Sequence, residues 1–164
     1  MTITTVCQLD MSVVRQLIAQ VLGLPVERVM ENKSQADTSQ YDHFLTVINS
    51  SQFEIGSQLS YSGEDELETI NSLREVTILV NAYGDNSMLM LSNLVNSMQL
   101  APMRLKMRQL RIGYLRASEI KHVISDSAEE QEVGATVDLI FSINHITQAN
   151  VNRGESVKII TKEN

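Results

Sequence analysis

Between positions 10 and 22 the apolar side chains Val13, Val14, Leu17, Ile18, Val21 and Leu22 recur at steps of three and four, which lines them along one face of an α-helix. Asp10 stands where a side-chain oxygen can accept from the first unpaired amides. Gly23 can take the left-handed stop, and Pro25 forbids continuation. The pattern predicts a helix that begins after Asp10 and ends at Gly23. Residues 31–40 carry almost no apolar side chain and predict a solvated loop.

From 41 to 50 the pattern becomes an alternation, Phe44 and Ile48 against Leu45 and Val47, as in a strand of a covered sheet. A weaker alternation continues through Phe53, Ile55, Leu59 and Tyr61, stops at Ser62-Gly63-Glu64-Asp65-Glu66, and resumes with Leu67, Ile70 and Leu73. A long antiparallel hairpin is predicted. Its second arm, 74–83, sets Val76, Ile78, Val80 and Ala82 on one face and Thr77, Leu79, Asn81 and Tyr83 on the other.

The side chain of Asp85, Asn86 or Ser87 is expected to cap the next helix, in which Met88, Leu91, Leu94, Val95 and Met98 form the buried stripe. Pro102 suits the first turn of a short helix over 103–109. Strand signals return at 112–117 and run loosely to 124, followed by an acidic loop over 125–132. The clearest strand places Val133, Ala135, Val137, Leu139, Phe141 and Ile143 at alternate positions, and a last edge strand is expected at 157–161. Strands joined by turns favour an α+β fold. The expectation is a single two-layer domain, a mainly antiparallel sheet with a long hairpin packed against about three helices, over 1–164 with its core at 9–146 and a C-terminal extension at 147–164.

With 164 residues, 43% hydrophobic and 20% charged, the chain suits one folded domain and neither a disordered nor a low-complexity one. Cys7 has no partner for an intramolecular disulfide, and His43, His122 and His145 lack the short spacing of a zinc site. No stretch approaches the roughly 18 apolar residues of a membrane helix, and no basic start leads into an apolar run, so the expectation is a protein that stays in water inside the cell. The seven glycines fall singly, which excludes a Walker loop and a dinucleotide fingerprint, and no Gly-x-Ser-x-Gly elbow occurs. Catalytic residues, cofactor and metal are therefore all expected to be absent.

Charge changes the picture. The formal net charge of −7 argues against a general nucleic-acid binder. Within 104–121, Arg104, Lys106, Arg108, Arg111, Arg116 and Lys121 face only Glu119, so this stretch carries +5 and leaves −12 on the remainder. Head-to-tail assembly needs two unlike surfaces on each subunit. The basic residues Arg104, Lys106, Arg108, Arg111 and Arg116 supply one, and the acidic runs at Glu64, Asp65 and Glu66 or at Glu129 and Glu130 supply the other. Met90, off the apolar stripe, is expected at a partner contact.

Several segments together resemble the phage neck terminator or tail-completion proteins, which are similar to the tail terminators of long-tailed phages. They are Val29-Met30-Glu31-Asn32 before the polar loop, Val80-Asn81-Ala82-Tyr83-Gly84-Asp85-Asn86-Ser87 before an apolar helix, Leu110-Arg111-Ile112-Gly113-Tyr114-Leu115-Arg116-Ala117-Ser118-Glu119-Ile120, and the strand from Ala135 to Asn144. The likeness runs from Leu9 to Ile146, and the loop at 31–40 departs from it in lacking Pro and Gly. The resemblance implies a structural virion protein, made in the host cytoplasm, whose copies form a homo-oligomeric ring of six. That ring would end the phage tail tube and join it to a neck, head-completion or connector protein. DNA would pass through it without sequence-specific binding and no membrane would be involved. Two other readings come from different classes. One is a small intracellular ligand-binding or regulatory domain whose basic stretch receives an anion; the other is an enzyme built on Asp138 and His145.

Overall fold

The computed structural model describes residues 1–31, 38–124, 133–152 and 154. Along the chain come β1 (Ile3–Cys7), α1 (Met11–Leu22), a 3-10 turn (Val26–Arg28), β2 (Val29–Met30), β3 (His43–Ser62), β4 (Leu67–Gly84), α2 (Ser87–Ser97), α3 (Ala101–Gln109), β5 (Ile112–Ala117), β6 (Lys121–His122) and β7 (Val133–Asn150). The acidic loop at 125–132, with Glu129 and Glu130, and the edge strand expected at 157–161 lie outside the described residues.

One sheet takes all seven strands in the order β1-β7-β4-β3-β2, and β6, β5 and β1 share the outer edge of β7 from end to end. Every pairing is antiparallel except β2 with β3. The three helices form a second layer on one face: α1 beside β2, α2 over β4 and β7, and α3 against β5. The alternation in sequence explains the layering. Val76, Ile78, Val80 and Ala82 of β4 and Ala135, Val137, Leu139 and Phe141 of β7 are opposite one another and wholly buried beneath Leu17, Ile18, Leu91, Leu94 and Met98. On the other face a small cluster of Met30, Phe44 and Tyr83 closes the end of the sheet, the Phe44 and Tyr83 rings stacked with centroids 4.5 Å apart.

α1 follows its sequence signals: the Ser12 N–H donates to the Asp10 carboxylate at 2.9 Å, and Gly23 stops the helix at φ 64°. α2 does not. Asn86 sits at φ 61° and caps nothing with its side chain, because a capping side chain works from the extended region and this turn is left-handed. Ser87 instead donates its hydroxyl to the Gly84 carbonyl at 2.5 Å. Met88, expected in the buried stripe, is 39% exposed, while Leu91, Leu94 and Met98 are buried as expected. α3 begins at Ala101, two residues before the predicted start, with Pro102 in its first turn.

β3 and β4 are single strands of 20 and 18 residues, continuous from the helix-covered body into an arm. β3 is exposed from 48 to 61, and no helix covers either face of the arm among the described residues. Where the core stops, a polar network ends it: Ser72 donates to Glu54 at 2.9 Å and accepts from Arg74 at 3.3 Å. β3 is bulged at two places, between Asn49 and Ser51 and between Glu54 and Gly56. β1, whose five residues carry no distinctive sequence pattern, borders the arm as its outer strand.

Candidate functional site

α3 turns Met103 and Met107 into the core, which leaves Arg104 and Arg108, one helical turn apart, on its exposed side. Between the end of α2, α3 and β5 lies an open groove of about 470 Å³ in which these two guanidinium groups stand beside Met98, Ile112 and Tyr114. Arg111 makes the turn from α3 into β5 at φ 58° and is exposed. The result is a basic flank along the β5 side of the molecule, to which Lys106 and Lys121 add charge. Arg116 differs from the others. Its guanidinium donates to Glu75 at 2.7 Å, so its charge is already met within the chain.

The acidic run Glu64, Asp65 and Glu66 is the exposed tip of the β3–β4 hairpin, held by a hydrogen bond from the Ser62 hydroxyl to Asp65 at 2.8 Å. It does not adjoin the basic flank. Ile112 is level with Ile143 and Arg74, and the tip ends at Leu67, seven residues back along β4, a separation of some 23 Å at about 3.3 Å per residue. A third charged region is assembled only by the fold. Glu27, Glu31 and Asp42 are exposed around β2 and the start of β3, on the flank opposite α3 and β5. The arginines there are engaged internally: Arg15 donates to the Val29 carbonyl at 2.6 Å and Arg28 lies 5.1 Å from the centre of the Tyr41 ring. Single acids scattered from 27 to 42 form no run in the sequence; only the sheet order collects them.

Met90 is half-buried, packed against the core and lining a shallow groove of about 240 Å³ with Leu22, Leu24, His43 and Leu89. Leu89 is 60% exposed beside it, and Asp85, Asn86 and Asn93 complete a mixed apolar and polar lining at the end of the body away from the arm.

The strand pairing separates the two residues of the enzyme reading. Asp138 and His145 differ by an odd number along one strand, so they occupy opposite faces, and they lie roughly 23 Å apart along it. His145 is opposite Ser72, yet that hydroxyl is buried and already donates to Glu54. The same hydrogen bond holds the Glu54 carboxyl below the usual carboxylate range, helped by Ser57 and then by the charge of Arg74. Burial pushes the Tyr114 hydroxyl up, its ring edge-on to Phe141 at 5.7 Å. Among the described residues no group of three or more acidic, His or Cys side chains could hold a metal ion, and no helix is long and apolar enough to cross a membrane.

Residues 11–164 match a family model described as phage neck terminator protein. No curated protein matches the chain.

Proposed function

The chain belongs to the phage neck terminator family, whose role is structural and lies in the neck of the virion; from that premise we propose that six copies close into a ring that ends the tail tube. The same ring joins the tube to the neck or head-completion protein and leaves a channel for DNA. The observation that carries this reading is the unlike charge of the two flanks. Arg104, Arg108 and Arg111 stand on the β5 side, and Glu27, Glu31 and Asp42 on the β2 side. Side-by-side repetition brings the basic flank of one copy against the acidic flank of the next, a heterologous contact that closes when the rotation permits.

The acidic tip at Glu64, Asp65 and Glu66 and the groove beside Met90 lie at opposite ends of the sheet, so they serve contacts above and below the ring. A net charge of −12 outside the basic stretch suits a channel wall from which phosphate is repelled and along which DNA slides. The deciding experiment is negative-stain electron microscopy with mass photometry on the purified protein at low salt. Closed rings of six are expected, lost in the Arg104→Glu/Arg108→Glu variant and weakened as salt rises. A chain that stays monomeric both in solution and in particles overturns the reading.

A further inference from the structure

The arm is a four-stranded ribbon, β1-β7-β4-β3, whose two outer strands differ. Among the described residues nothing pairs with the outer edge of β1, nor with β3 beyond its two-residue contact with β2. Such edges expose rows of unpaired N–H and C=O groups, and proteins blunt them with bulges, charges, Lys or Pro. β3 is blunted selectively. One of its bulges lies level with β5 and the other at the end of β5, whereas 56–62 is regular and its middle, 58–61, runs level with β1. That stretch and Ile3–Cys7 contain no charged residue and no Pro, and β1 is regular over Ile3–Thr5 before its own irregularity between Thr5 and Cys7. On one face Ile3 shares a row with Tyr61, and Thr5 shares the next row with Leu59; Ile3 is 63% exposed and Leu59 62%.

We propose that Ile3–Cys7 of one copy adds, antiparallel, as a strand to the 56–62 edge of the next copy. This rests on the ring reading and specifies its joint. β1 runs opposite to β3, so a rotation about an axis along the strands brings the two edges together in the antiparallel sense that already holds throughout the arm. The pairing satisfies both unpaired backbone rows and sets Ile3 against Leu59 and Tyr61 of the neighbour. A five-residue edge is short against the ~800 Å² per partner of a stable pair, so closure of the whole ring stabilises what one joint does not.

Cysteine cross-linking tests this in a Cys7→Ser background. Thr4 and Ser60 share a face and stand three strand spacings apart within a chain, about 14 Å, beyond the ~7 Å that a disulfide can bridge, so any cross-link joins two copies. Thr4→Cys is combined in turn with cysteine at 58, 59, 60, 61 and 62, all exposed or half-exposed. The samples are oxidised and resolved on denaturing gels, with ring formation scored by microscopy. The expected result is a ladder of multimers several-fold stronger at 58, 60 or 62 than at 59 and 61, the period of two that strand pairing imposes. Rings without cross-links, or with cross-links indifferent to that period, overturn the edge joint and leave the ring reading standing. Periodic cross-links in open filaments support the joint and overturn the ring. Neither rings nor cross-links overturn both.

Discussion

Replacing Gly84 by Ala tests the point at which β4 turns into α2. Gly84 has φ 97°, a left-handed backbone that costs a residue with a Cβ about 1–2 kcal/mol. A methyl group there also has no room. It meets the backbone carbonyl oxygen of Asp42 and the Cα and Cβ of His43, the residue paired with Gly84 at the start of β3. Those are backbone or near-backbone atoms in a paired strand, so relief needs a strand shift, and overpacking of that kind costs about 1–3 kcal/mol more. Restricting the unfolded chain offsets part of this in both variants, since Gly→Ala lowers the entropy lost on folding by about 0.4–1 kcal/mol. The net expectation is a loss of about 2–4 kcal/mol, or roughly 4–16 °C in Tm for a chain of this size. Gly23→Ala is the control: φ 64° with nothing near its missing Cβ, and therefore a loss of about 1 kcal/mol. Both variants are compared by urea denaturation at a salt concentration that keeps the protein monomeric, because assembly would mask the difference. Equal losses at the two positions would refute the close approach of β3 to Gly84.

Arg111→Glu is expected to weaken ring assembly while changing monomer stability by less than about 0.5 kcal/mol, since Glu occupies the same left-handed turn with the opposite charge; sedimentation velocity and denaturation separate the two effects. The double variant Arg116→Ala/Glu75→Ala, which removes the pair with no change in net charge, should leave assembly near wild type in the same assay. On the acid side, the Ser12 hydroxyl and then its N–H hold the Asp10 carboxyl below its ordinary range, so this stabilisation is present above about pH 4 and is lost as pH falls through the lowered value. Asp10→Asn flattens that limb of a Tm-against-pH curve. On the alkaline side, burial raises Tyr114, the folded chain holds the proton more tightly than the unfolded one, and stability falls as pH rises above about 10. Tyr114→Phe removes this dependence.

How much could be read in the sequence followed burial. α1, the core halves of β4 and β7 and the stripe of α2 are each half-covered, so alternation or helical spacing marks them, as with Val76 to Ala82. The arm is covered on neither face, and there Ser57, Gln58 and Ser60 mix with Leu59 and Tyr61 without a strong pattern; strand length alone could not be read from it. β1 offered only Ile3, Thr4, Thr5 and Val6, a β-branched run too short to distinguish a strand from an extended terminus. The block Asn81-Ala82-Tyr83-Gly84-Asp85-Asn86 carried the family resemblance, and its residues have separate local tasks. Asn81 bonds Thr46 and Thr136 across two strands, Tyr83 stacks on Phe44, and Gly84 and Asn86 make the left-handed turns. The basic flank was visible because its residues lie close together along the chain, within 104–121. The acids around β2 were not, because adjacency across a sheet is a property of topology.

β4 is bonded on both sides over nearly its whole length, to β3 and to β7, and spans about 60 Å without a break between body and arm. Mechanically it is a beam with no hinge. Force applied along the strands at the hairpin tip is carried in shear by both ladders at once, many hydrogen bonds sharing the load, whereas peeling from an edge opens them one at a time. β4 ends at Gly84, where the chain turns past Asp85 and Asn86 into α2, so one continuous strand joins the hairpin tip to the rim of the groove beside Met90.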